Sequence, residues 1–168
     1  MDVPQDGDQF RLMRVRICAI GRLRAGPERD LTDDYLARFA RTGRTLGLGP
    51  ADVSEVEARK GGGVAEEARL IERTIPAGAT VCALDERGKA LSSPELARML
   101  ADLRDQGVGH LAFLIGGADG LDRRLRQRAH RHLSLGPMVW PHMLARVMLS
   151  EQLYRSATIL AGLPYHRT

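Results

Sequence analysis

Short apolar runs along the chain alternate with longer segments in which apolar residues return every three or four positions. The runs predict strands, and the periodic segments predict helices. "MRVRICAIG" alternates and then turns apolar, as a strand does on entering a sheet. In "GPERDLTDDYLARFARTG", Leu31, Tyr35, Leu36 and Phe39 share one helical face, with Pro27 suited to a first turn and Gly43 to a stop. A weak strand, "ADVSEV", precedes the glycine run 61–63, after which Val64, Ala68, Ile71 and Ile75 mark a second helix that Pro76 ends. "TVCALD" reads as a buried strand. "SSPELARMLADLRDQG" carries the clearest helix signals: Ser92 and Glu95 at capping-box spacing, a stripe of Leu96, Met99, Leu100 and Leu103, and Gly107 to close it. "HLAFLIGG" predicts a fourth strand, "LDRRLRQRAHRHL" a basic helix and "LSLGPMVW" a short fifth strand running into a loop. A long helix from about Pro141 to Ala161 completes the pattern. Five strands alternating with five helices predict an α/β fold, a mostly parallel sheet with helices on both faces. No repeat or linker divides the chain, so residues 13–168 read as a single domain behind a disordered leader, residues 1–12.

The last helix is apolar on nearly every face, with Leu144, Val147, Met148, Leu149, Leu153, Tyr154, Ile159 and Leu160 distributed around it. Such a helix is buried, and one sheet covers only one side of it. A symmetric homodimer would cover the other.

Composition narrows the class. At 168 residues, 43% hydrophobic and 27% charged, the chain is long enough to bury a core without disulfides or metal. No apolar run approaches a membrane span, and "MDVPQDGDQFRL" lacks the basic start and apolar centre of a secretory signal. Cys18 and Cys82 sit singly inside strand-like runs, too isolated for a zinc site, and point to a cytoplasmic protein. Charge is segregated: residues 123–168 hold eight arginines against one acid, Glu151, whereas residues 1–122 hold 17 basic and 20 acidic groups. The general abundance of arginine explains the residue type but not its position, and a polyanionic partner, nucleic acid first, fits the asymmetry.

Ligands of open parallel sheets bind beyond the carboxyl ends of the strands. "ALDERGK", "LIGGADGLD" and "LSLGPMVWPH" occupy such ends. Gly116, Gly117 and Gly120 would let a ligand approach the backbone, but a tight strand-to-helix turn accounts for them equally well. The spacing of a dinucleotide fingerprint and the G-K-[ST] of a phosphate loop are both missing. Asp85, Glu86 and Asp119 make two of these loops acidic, which suits a cationic or neutral ligand rather than a phosphate. No G-x-S-x-G elbow exists, and His130 and His132 read as a solvated face of the basic helix rather than as a metal pair. Glu151 and Arg155 stand at i,i+4, either as an ordinary helix pair or as a clamp presenting Arg155 to a substrate anion.

Taken together, "LIGGADG", "LDERGKALSSPELA" and "LSLGPMVWPHMLARVMLSEQLYRSATILAGLPYHR" resemble the RlmH family of SPOUT-class bacterial methyltransferases, from about Met13 to the C-terminus. The most specific part is "PHMLARVMLSEQLYR" followed by the terminal "PYHR". The resemblance implies a SPOUT fold with a C-terminal trefoil knot, a homodimer, and methylation of N3 of a pseudouridine in large-subunit ribosomal RNA. It implies S-adenosylmethionine as cofactor, no metal, and a cofactor site of Leu84, Gly116, Gly117, Leu135, Gly136, Pro137, Met138, Val139 and Trp140. Here the chain departs from the family pattern, which carries Ser near Gly136, Thr near Val139 and a smaller side chain at Trp140. The resemblance also gives the tail its chemistry: Tyr165 positions the base, His166 assists proton removal, and Arg167 binds phosphate or the developing oxyanion, with Glu151 and Arg155 beside them. The rival readings are a non-catalytic ribosome-binding protein and a nucleotide-phosphate enzyme using the glycine turn.

Overall fold

The computed structural model describes residues 11–167, so nearly all of the expected leader lies outside the described residues. Five strands, β1 (Met13–Ile20), β2 (Leu48–Val56), β3 (Thr80–Ala90), β4 (His110–Ile115) and β5 (Arg131–Ser134), form one sheet in the order β2-β1-β4-β3-β5. Every pairing is parallel. Five helices connect and cover them: α1 (Pro27–Gly43), α2 (Gly63–Thr74), α3 (Ser93–Asp105), α4 (Arg123–Arg128) and α5 (His142–Leu160).

Side chains alternate across the strands, and each face finds its own helices. Met13, Val15, Ile17 and Ala19 of β1, with Leu111, Phe113 and Ile115 of β4, pack under α1, α3 and α5 through Leu36, Phe39, Leu100, Leu149 and Leu153. Cys18, Ile20, Ala112 and Leu114 face the other way, onto Ala68 and Ile71 of α2 and Leu125 of α4. Both faces are therefore dry, as an all-parallel sheet requires.

Local signals act largely as expected. Ser92 Oγ accepts from the Glu95 amide at 3.2 Å while Glu95 accepts from the Ser92 amide at 2.7 Å, completing the capping box. The stop after α1 comes later than Gly43. A short 3-10 turn follows, and Gly47, with φ of 72°, makes the left-handed turn instead.

The expected basic helix is halved. Helix α4 ends at Arg128, Ala129 is extended, and Arg131–Ser134 pairs with β3 as the fifth strand, so the expected strand is shifted upstream and residues 135–140 are loop. His130 is no solvated helix face: its Nδ1 accepts from the Val81 amide at 2.9 Å, and its own amide donates to the Val81 carbonyl. The vacant edge of β3 outweighs the helical preference of the arginine run, a tertiary override of local propensity.

Candidate functional site

The register break in the middle of β3, which runs on past its expected end, and the carboxyl ends of β4 and β5 open into one cleft of about 800 Å³. Leu84 comes from the first, Gly116 and Gly117 from the second, and Leu135, Gly136, Met138, Val139 and Trp140 from the loop after the third. These segments, far apart in sequence, are brought together as expected; Pro137 is exposed in the same loop but does not face the cleft. Asp85, Arg87, Asp119, Arg126, His142 and Ala145 add to its wall.

Backbone compactness shapes this cleft. A Cβ on Gly116 would lie 2.4 Å from the carbonyl carbon of Gly120, so the turn over residues 116–120 closes backbone on backbone. Gly136 has φ of 102°, a region glycine alone occupies readily. Ser134 supplies a hydroxyl nearby: its Oγ accepts from the Gly136 amide at 3.1 Å. Trp140 donates its indole N–H to the Leu135 carbonyl at 3.3 Å, so this side chain clips the loop to itself as well as lining the cleft.

The cleft is less acidic than the loops imply. Asp85 pairs with Arg126 at 3.6 Å, and Arg87 lines the same wall, so two arginines face three acids, Asp85, Glu86 and Asp119. Glu67 on α2 adds a carboxylate beside Gly117, its pKa raised by burial and then by Asp119. Neither cysteine is poised for nucleophilic chemistry: both are buried, and burial pushes Cys82 up to about 12. No cluster of metal-ligating side chains occurs among the described residues.

A buried ion pair braces the cleft from below. Arg146, 1% exposed, donates to Glu55 at 2.7 Å and to the Gly21 carbonyl at 2.9 Å, while Glu55 also accepts from the Leu23 amide at 2.6 Å. The pair ties α5 to the ends of β1 and β2. Where Gly21 would carry a Cβ, His142 Nε2 lies 3.4 Å away, so this brace runs directly beneath a cleft residue. Sequence reasoning missed it, because its partners are 91 positions apart.

The C-terminal tail is packed onto α5. Tyr165 donates its hydroxyl to Glu151 at 2.9 Å, Arg155 grips the same carboxylate at 2.7 Å, and the Arg155 guanidinium lies 4.9 Å from the Tyr165 ring centre. Burial, then the Glu151 hydrogen bond, pushes the Tyr165 phenol up; the same carboxylate raises Arg155. Arg155 Nη1 lies 3.2 Å from His166 Nδ1. A guanidinium only donates, so Nδ1 accepts and the imidazole proton sits on Nε2, which is buried without a partner. Arg167 is exposed. Glu151, Arg155, Tyr165 and His166 thus form one cluster, but none of them lines the cleft. Glu151 and Arg155 follow Ala145 of the cleft wall by roughly 9 and 15 Å along the helix at 1.5 Å per residue.

Residues 13–166 match the family model described as "Predicted SPOUT methyltransferase". The chain belongs to the SPOUT methyltransferase family. Among this family's curated members, "Ribosomal RNA large subunit methyltransferase H" of Dinoroseobacter shibae is 68% identical over 155 residues, covering 92% of this chain and 99% of that one. The proteins of the same name from Roseobacter denitrificans and Ruegeria pomeroyi are 66% and 63% identical with the same coverage. The parallel sheet with helices on both faces is the α/β fold expected from the sequence. The path from edge strand β5 back to α5, whose Arg146 reaches the end of the interior strand β1, is compatible with the expected knot.

Proposed function

We propose that this SPOUT methyltransferase transfers a methyl group from S-adenosylmethionine to N3 of a pseudouridine in large-subunit ribosomal RNA, acting on ribosomes in the cytoplasm as a homodimer. The observation that carries the reading is the convergence of Leu84, Gly116–Gly117 and Leu135–Trp140 into one cleft. The relatives named as large-subunit ribosomal RNA methyltransferases support the substrate.

The cleft suits the donor. Its volume is that of a small-molecule site, its glycine turn admits a ligand against the backbone, and its slight acid excess favours a cation. S-adenosylmethionine supplies an electrophilic methyl on a sulfonium, so the protein's task is alignment and removal of the N3 proton. His166 Nδ1, whose lone pair accepts from Arg155, becomes free to take that proton once Arg155 turns to a substrate anion. Tyr165 positions the base, and Arg167 meets phosphate or the developing oxyanion.

On its own chain the tail cluster stands two to three helical turns beyond the cleft, which favours a tail serving the partner's cleft. The apolar surface left on α1, α5 and the tail supports such pairing: Leu31, Met143, Leu144 and Leu163 are each at least 39% exposed. The deciding experiment incubates the protein and labelled donor with ribosomes lacking the modification and maps the labelled base. Label at N3 of a pseudouridine is expected. Heat on titration with the donor but no transfer to ribosomal RNA refutes the substrate, and absence of that heat leaves a non-catalytic RNA binder. His166→Ala and Arg167→Ala proteins that methylate at the wild-type rate refute the tail's roles. Mixed dimers of a donor-defective chain with one truncated after Gly162 test sharing: activity no better than either parent refutes it.

A further inference from the structure

We infer that the open β5 edge of the sheet and the adjoining α4 form a docking strip for the phosphate backbone of the RNA, leading outward from the mouth of the cleft. This rests on the reading that the substrate is ribosomal RNA.

The strip begins at Arg87, in the bulge where the β3–β5 register breaks between Leu84 and Lys89. Arg87 lines the cleft and also both grooves that flank it on this side. One groove carries Arg123 and Arg126; the other carries Lys89, Arg98 and Arg131; His132 faces both. His132 lies 2.6 Å from the Arg126 carbonyl, which only accepts, so the imidazole donates and fastens α4 to the strand. The cationic path is therefore continuous from the cleft to the outer edge.

Two of the acids along it are engaged. Asp85 is held by Arg126 at 3.6 Å, and Glu95 by the Ser92 amide at 2.7 Å; Glu86, beside Arg87, and Asp102 are exposed acids without such a partner among the described residues. Among the described residues, Lys89, Arg98, Arg123 and Arg131 have no ion-pair partner. Unpaired like charges gathered on one face repel one another and are neutralised best by a polyanion, whose binding also releases counterions. Charge on an edge strand has another use, keeping sheets from pairing edge to edge. That use accounts for Arg131 on β5 but not for Lys89, which lies on the interior strand β3, nor for Arg123, which lies on α4 at the groove beside the cleft.

The test replaces Lys89, Arg123 and Arg131 together by Gln, with a control replacing Arg14, Arg44 and Arg73, which lie in the second position of β1, after α1 and in the last turn of α2. Binding of the full-length proteins to unmodified ribosomes is measured across a potassium chloride series, with methyl-transfer kinetics and donor titration alongside. For the strip variant, the slope of log affinity against log salt becomes shallower by about 2 to 3, and KM for ribosomes rises about tenfold or more. The maximal rate and donor affinity stay at wild-type values, and the control set behaves as wild type. An unchanged salt slope and KM overturn the proposal, as does an equal loss in the control. A strip variant that binds ribosomes normally but self-associates overturns it in favour of an edge guard. The binding arm needs no catalysis, so a wild-type protein that transfers no methyl sinks the functional reading while the strip is still decided.

Discussion

Replacing Arg146 by Met removes a cation that is 1% exposed and leaves its partners in place. Breaking a fully buried ion pair costs about 3–5 kcal/mol. The Glu55 side chain is 31% exposed and keeps its Leu23 hydrogen bond, so water and that amide recover part of the loss. The Gly21 carbonyl, however, loses its donor. The expected cost is about 3 kcal/mol, or roughly 6–12 °C in Tm for a domain of this size at fixed protomer concentration. Glu55→Gln strands the buried guanidinium and costs a similar amount by the same reasoning. The two changes act on one interaction, so the double variant falls short of their sum by about 1.5–2 kcal/mol. Urea unfolding of the four proteins measures the cycle, and donor titration reports whether loosening Gly21 beneath His142 weakens the cleft by several-fold. An Arg146→Met cost below about 1 kcal/mol, or strict additivity, would refute the brace.

Two further outcomes are expected. Gly116→Ala places a methyl against the Gly120 backbone at 2.4 Å, so the turn must open; donor affinity, read by calorimetry, falls at least about tenfold, and an unchanged affinity removes this turn from the site. The Cys82 thiol titrates near 9.0 when unfolded and about 12 when folded, so its contribution to stability is complete below pH 9 and is lost as pH rises to 12. Unfolding free energy then declines by up to about 1.4 kcal/mol per pH unit from this group, and Cys82→Ala shows a shallower decline over that window. Identical slopes in both proteins would place the thiol's titration elsewhere.

Local physics was legible. The alternation of β1, the apolar run of β4, the Ser92–Glu95 box, Gly107 and the Pro76 stop each act over a few residues, and each stands where its pattern predicts. The cofactor-site expectation rested on family resemblance, and eight of its nine residues line the cleft.

What the residues alone determined is thus the set of elements, their order and the chemistry at their ends. Tertiary structure decided where neighbours distant in sequence compete or cooperate. Arg131–Leu133 follows a helical pattern but becomes strand because β3 offers an unpaired edge. Asp85 looks like a free acid until Arg126 reaches it, and Arg146 looks like surface charge until Glu55 and Gly21 surround it. Periodicity and turn chemistry are written within one helical turn or one bend, whereas ion pairs and strand pairing take their free energy from partners that only the folded chain brings within contact.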